Sequence, residues 1–166
     1  MRLFRILVGG AAASLVFAPL AALAVPQPGH APPALSLPAA SGKKPVSLDA
    51  LKGKPVYVNF FASWCGPCNV EAPSIAKLRS QYGTRMRFVG VDELDGDGQG
   101  VAFEKKYNDP YDLVAVDNSG KVGRDYGTTI FMPIHVFIDR HGVVKTYRMG
   151  EMNPAEIEAA IKDALK

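Results

Sequence analysis

The two cysteines of this chain lie three positions apart, in Trp64-Cys65-Gly66-Pro67-Cys68. Thiols at that spacing can pair, and the pair can pass between disulfide and dithiol by exchange with another protein's sulfurs. As a structural staple the bridge would be weak, because its loop is tiny and removes little unfolded-state entropy. Redox chemistry accounts for the placement better. An apolar, β-rich run, residues 55–61 (PVYVNFF), ends just before the motif, and a helix is expected from about Cys65. Cys65 would then sit where unpaired N–H groups and the positive dipole end favour thiolate, making it the exposed attacking sulfur. Cys68, one turn further on, is expected to be more buried and to resolve the mixed disulfide. Pro67 presets the first helical turn and stiffens the loop. Trp64 is expected to shield one side of the sulfurs while packing locally.

The elements that must position this pair can be read along the chain. Leu35, Leu37, Val46 and Leu48 alternate around residues 40–43 as a small β-hairpin. Residues 55–61 suit a central strand buried on both faces. The helix after Cys65 should bend at Pro73, which has no N–H to donate. Residues 86–91 read as a second buried strand, 101–107 as a short helix and 113–116 as a brief strand. Residues 134–138 and 143–149 flank the turn Asp139-Arg140-His141-Gly142 as an antiparallel hairpin. The last helix has Asn153 as N-cap, Pro154 at its first position and Glu156 completing a capping box. Its apolar stripe is Ile157, Ala160, Ile161, Ala164 and Leu165, opposite a Glu158–Lys162 pair. The class is therefore α/β, a sandwich with a central mixed β-sheet flanked by helices and an N-terminal β-hairpin.

Arg2 and Arg5 open the chain, and no charge follows from Ile6 to Val25. With Ala22-Leu23-Ala24 closing that run, residues 1–24 read as a secretory signal peptide; a retained membrane anchor is the alternative. Residues 25–33 (VPQPGHAPP) read as a Pro-rich tether, and residues 34–166 as one domain. The domain would face an extracytoplasmic compartment, in a bacterium the periplasm. Without Arg2 and Arg5, 17 cations face 16 anions, a net charge of +1. That balance offers no basic face for nucleic acid.

Residues 59–73 (NFFASWCGPCNVEAP) resemble the active-site region of thioredoxin-fold proteins, and more narrowly the periplasmic TlpA/ResA-like thiol–disulfide oxidoreductases. The resemblance implies a thioredoxin-like sandwich and an enzyme whose only redox group is the Cys65–Cys68 disulfide, with no separate cofactor. It implies partners that are disulfide-containing or dithiol proteins of the periplasm. The Gly66-Pro67 dipeptide then favours a reductase, recharged by a membrane thiol reductase. Pro133 matches the family's cis-proline, which packs beside the disulfide and leaves a backbone edge for a substrate strand. Met132 would lie near the sulfurs, joining Trp64, Gly66, Pro67 and Pro133 on the substrate side. Glu71 matches an acid that assists proton transfer at the cysteines; a solvated helix glutamate is the alternative. Asn59 stands where cytoplasmic thioredoxins carry an aspartate, so the base would be Glu71 or water. Residues 126–133 (YGTTIFMP) lack the glycine-alanine-proline pattern of the haem-maturation branch, which leaves the substrate open.

Residues 95–100 (DGDGQG) imitate the start of a calcium loop, but loop position twelve falls on Lys106, where a bidentate Glu is required. A solvated, glycine-rich loop is expected instead. His30 and His141 fall in the tether and a turn. His135 shares a strand face with Pro133 and has two readings. One is a packed, hydrogen-bonded histidine. The other joins it to Cys65, Cys68 and Met132 as a copper(I) or zinc site, with a copper(I)-binding chaperone as the alternative function.

Overall fold

The structure, a computed structural model, describes residues 25–129 and 131–166. The expected signal peptide, residues 1–24, lies outside them. The strands are β1 (Ser36–Leu37), β2 (Val46–Ser47), β3 (Val56–Phe61), β4 (Arg87–Glu93), β5 (Leu113–Asp117), β6 (Ile134–Ile138) and β7 (Val144–Met149). The helices are α1 (Gly66–Tyr82), α2 (Gln99–Lys106), α3 (Lys121–Tyr126) and α4 (Pro154–Ala164). Strand order in the main sheet is β5-β4-β3-β6-β7, while β1 and β2 pair separately as an antiparallel hairpin. β3, β4 and β5 run parallel; β6 and β7 are antiparallel. This is the mixed sheet expected from the sequence.

β3 is buried at every position, as a central strand covered on both faces must be. Its alternation divides the core. Tyr57 and Phe61 join Cys65, Cys68, Ile75 and Leu78 around α1, together with Ile157 and Ile161 of α4. Val56, Val58 and Phe60 face the other way, against Val89, Val136, Tyr126 of α3, and Leu35, Leu37 and Val46 of the hairpin. The sulfurs thus stand over the α1/α4 face. α4 carries the expected capping box: Asn153 Oδ1 accepts from the N–H groups of Ala155 and Glu156, and Glu156 accepts from the Asn153 N–H.

Two expectations need correction. α3 is absent from the sequence reading, because six residues are too few for a helical period. It is bounded by Gly120 and Gly127, both at positive φ, and its N–H groups at Lys121 and Gly123 are taken by the buried Asp117 carboxylate. The proposed tether, residues 25–33, is docked on the domain. The Gly29 N–H donates to Val144 O at 2.8 Å, the Val144 N–H to His30 O at 2.9 Å, and the Tyr126 hydroxyl to Pro33 O at 2.7 Å. The outer edge of β7 has unpaired backbone groups, and an extended, proline-rich segment satisfies those of Val144 at little entropic cost. Beyond it, Pro38 O accepts from the Val116 N–H and the Ala40 N–H donates to Val114 O, both at 2.9 Å, on the opposite edge at β5. No helix among the described residues is long and apolar enough to cross a membrane.

Candidate active site

β3 ends at Phe61, and three residues later the chain turns into α1 with Cys65 as its N-cap, in extended backbone conformation. Cys65 Sγ accepts from the Cys68 N–H at 3.3 Å, so the sulfur occupies the position of a capping oxygen. Cys65 and Cys68 form a disulfide with Cα atoms 5.3 Å apart. The expected contrast in exposure is not present in this oxidised pair: Cys65 is 4% exposed and Cys68 3%. The bond to Cys68 draws the Cys65 sulfur against the first helical turn. Gly66 and Pro67 are exposed, and Trp64 is 62% exposed, its indole N–H directed at Leu94 O at 3.4 Å. Trp64 therefore flanks the motif from outside and buries little of itself. α1 continues through Pro73, which is exposed.

Two side chains unmarked in the sequence reading hold the turn that presents Cys65. Asn69 donates from Nδ2 to Ser63 O (2.9 Å) and Cys65 O (2.7 Å). Its Oδ1 accepts from the Tyr107 hydroxyl (2.6 Å) and Lys106 Nζ (3.1 Å), tying the turn to α2. Asp95, from the calcium-like loop, accepts from the Ser63 backbone N–H and hydroxyl. That loop is not merely solvated. Spacing alone carries neither role, since both depend on how β4 and α2 lie beside the motif.

Glu71 is 3% exposed, which removes the solvated reading. It lies three residues beyond Cys68 on the buried side of α1. Its Oε1 accepts from the Met152 N–H, and its Oε2 lies 3.4 Å from His135 Nε2. His135, fully buried on β6, has its Nδ1 2.8 Å from the Tyr57 hydroxyl and 3.3 Å from Asn59 Nδ2. The Tyr111 hydroxyl donates to Asn59 Oδ1 at 2.5 Å. Burial, then nearby Tyr111 and Glu71, holds the Tyr57 hydroxyl well above the ordinary tyrosine range. Burial, then Glu104, Glu71 and Asp92, does the same to Tyr111. Both phenols are therefore proton donors at any physiological pH. Asn59 is the hub of this network, sitting in register with Gly90 on one side and His135 on the other.

The Met132–Pro133 peptide is cis. Pro133 is buried and its carbonyl accepts from the Gly150 N–H at 2.8 Å, while Met132 packs half-buried against the cluster containing both cysteines. The copper(I) grouping of Cys65, Cys68 and His135 is not assembled. His135 turns its two nitrogens to Tyr57 and Glu71, and among the described residues no three His, Cys, Asp or Glu side chains converge to hold a metal ion.

A disulfide thus caps a helix behind the central strand, and a cis-proline leads into the neighbouring strand. Residues 27–165 match the Redoxin family. The chain belongs to the redoxin family. This redoxin is 35% identical over 124 residues to the thiol-disulfide oxidoreductase ResA of Bacillus thuringiensis, covering 73% of this chain and 69% of the relative. Among solved structures, a thiol:disulfide interchange protein DsbE from Chlorobium tepidum superimposes with a TM-score of 0.74 at 29% identity, over 85% of this chain and 99% of the other. A secreted Mycobacterium tuberculosis disulfide oxidoreductase does so with a TM-score of 0.69 at 26% identity, over 77% and 94%. The redoxin thus has a thioredoxin-like fold and is a thiol–disulfide oxidoreductase.

Proposed function

We propose that this redoxin is a periplasmic reductase of partner-protein disulfides, working through Cys65 and Cys68 with Glu71 as proton acceptor. The observation that carries this reading is the Cys65 sulfur at the N-cap of α1, backed on the same helix by a buried carboxylate. Unsatisfied N–H groups and the dipole of α1 favour the Cys65 thiolate once the pair is reduced. That thiolate attacks a partner disulfide, forming a Cys65–partner mixed disulfide and releasing the partner's other sulfur as thiolate. Cys68 then loses its proton to Glu71 and attacks Cys65 Sγ. The second partner sulfur leaves as thiolate, and two electrons have moved to the partner. A donor dithiol, assigned here to a membrane thiol reductase, restores the reduced pair.

The Gly66-Pro67 dipeptide supports the reductive direction. Exposed Trp64, Gly66 and Pro67, with Met132 and cis-Pro133 alongside, are assigned to contact the partner. The charged start, uncharged run and small-residue end of residues 1–24 support export, as a cleaved signal peptide or as an anchor. The test is the reduction potential of the pair, titrated with glutathione or dithiothreitol and read through Trp64 fluorescence. A value at or below about −250 mV agrees with a reductase; one of about −120 to −180 mV indicates an oxidase or isomerase and overturns the direction.

A further inference from the structure

We propose that His135 positions Glu71, donating its Nε2–H to the carboxylate as a fixed neutral tautomer and so setting the pH at which Glu71 takes the proton from Cys68. This rests on the reading of Glu71 as proton acceptor.

The tautomer follows from the hydrogen bonds around the ring. The Tyr111 hydroxyl donates to Asn59 Oδ1, which fixes the amide so that its NH2 faces Ile134 O (3.1 Å) and His135 Nδ1 (3.3 Å). The Tyr57 hydroxyl, 2.8 Å from Nδ1, is the other group there, and it stays protonated. The Asn59 amide can only donate to Nδ1, and the Tyr57 hydroxyl is free to turn its proton the same way, so Nδ1 is the acceptor and the single ring proton falls on Nε2. Nε2 faces Glu71 Oε2 across 3.4 Å, and these two buried atoms, each without a hydrogen-bond partner in the structure, are left to serve one another. A proton on Nδ1 would set its N–H against the Asn59 N–H.

The titratable groups about the pair are Tyr57 from β3, Tyr111 from the segment before β5 and the cysteines preceding Glu71 on α1; Asn59 and the Met152 backbone N–H are its neutral partners. None supplies a formal positive charge to a buried carboxylate. The Met152 N–H already donates to Oε1, and a small closure of the 3.4 Å gap lets the His135 Nε2–H serve Oε2, so the ionised form gains a second neutral donor. A donor that binds the charged form lowers proton affinity against the opposite pull of burial. When Cys68 resolves the mixed disulfide, its S–H proton goes to Glu71, its electron pair forms the bond to Cys65 Sγ, and the partner sulfur leaves as thiolate. Removing His135 raises the proton affinity of Glu71 and moves this step to higher pH.

The test has two arms. Nitrogen-15 NMR of histidine-labelled protein, with the His135 signals assigned as those that survive H30Q and H141Q at the two exposed histidines, is expected to find His135 as the neutral Nε2–H tautomer from pH 5 to 8. An Nδ1–H tautomer, or imidazolium by pH 6, overturns the proposal even if no variant at residue 135 folds. In the second arm, glutathione release from a preformed Cys65–glutathione mixed disulfide is followed against pH. H135F is expected to move the midpoint up by about one unit, slowing release about tenfold at the foot of the profile. H135Q, whose amide N–H can replace Nε2–H, is expected to recover most of that loss. If E71Q slows release and flattens the profile while H135F leaves the midpoint in place, the role of His135 is wrong and that of Glu71 stands. If E71Q leaves the profile untouched, the Glu71 reading fails and this proposal with it.

Discussion

Asp95 accepts both the backbone N–H of Ser63, at 2.5 Å, and its hydroxyl, at 3.0 Å. Ser63 lies two residues before Cys65, so a carboxylate from the β4–α2 loop holds the turn that presents the sulfur. Asn69 grips the same turn from the helix side. Breaking the first grip by D95A should lower unfolding free energy by about 1.5–3 kcal/mol, the range for hydrogen bonds to a charged acceptor. Urea denaturation of the oxidised form at pH 7 measures it. A change below about 0.5 kcal/mol, the usual scatter of neutral surface substitutions, would mean the Ser63 bonds contribute nothing net.

The acid beneath that loop predicts a pH dependence. Asp92 is raised to about 7, by burial first and then by the charge of Asp95 and a hydrogen bond with it; a smaller bond from the Gly100 backbone opposes this. Because its folded value lies above the unfolded one, the folded state holds a proton between about pH 4 and 7 that the unfolded chain releases. Its contribution to stability is therefore full at low pH, declines as pH rises toward 7, and levels off above. Urea midpoints of wild type and D92N compared from pH 4.5 to 8 should differ in slope, with the variant flatter through that window. Parallel curves would show that Asp92 keeps an ordinary carboxyl.

Gly90 of β4 lets the Tyr111 ring lie directly on the strand. A Cβ there would come within 2.5 and 2.7 Å of two Tyr111 ring carbons and 2.8 Å of Phe61 Cε1. G90A should cost about 1–3 kcal/mol, as overpacking of a tight core does. It should also push the Tyr111 hydroxyl from Asn59. The cost of G90A and that of Y111F should then fall short of additive in a double-mutant cycle. Full additivity would mean the ring stays on Asn59 despite the added methyl group.

What could be read from the sequence followed from local rules. The apolar run of β3, the turn at Asp139-Arg140-His141-Gly142 and the Asn153 cap each carry their own signal, and the structure keeps them within a residue or two. The cysteine pair, Glu71 and Pro133 were legible through motif and resemblance. Asn69, Asp95, Tyr57 and Tyr111 were not, because each acts across the fold: Tyr111 meets Asn59 over 52 positions and Tyr57 meets His135 over 78. His135 stood out as a residue, but whether it faces sulfur or carboxylate depends on which neighbours saturate its ring. The docking of residues 25–33 depends on a strand edge more than a hundred positions away.

That docking has a consequence for how the enzyme meets other proteins. Open sheets end in strands whose outer backbone groups invite another chain to add on, and Val144 on β7 and Val114 and Val116 on β5 carry such groups here. From His30 at Val144 to Pro38 at Val116, eight residues can extend roughly 26 Å, enough to cross the roughly 19 Å between the outermost of five strands. One short crossing thus occupies backbone groups at both margins of the sheet. A chain adding to the sheet at Val144, or at Val114 and Val116, must therefore first displace part of this crossing.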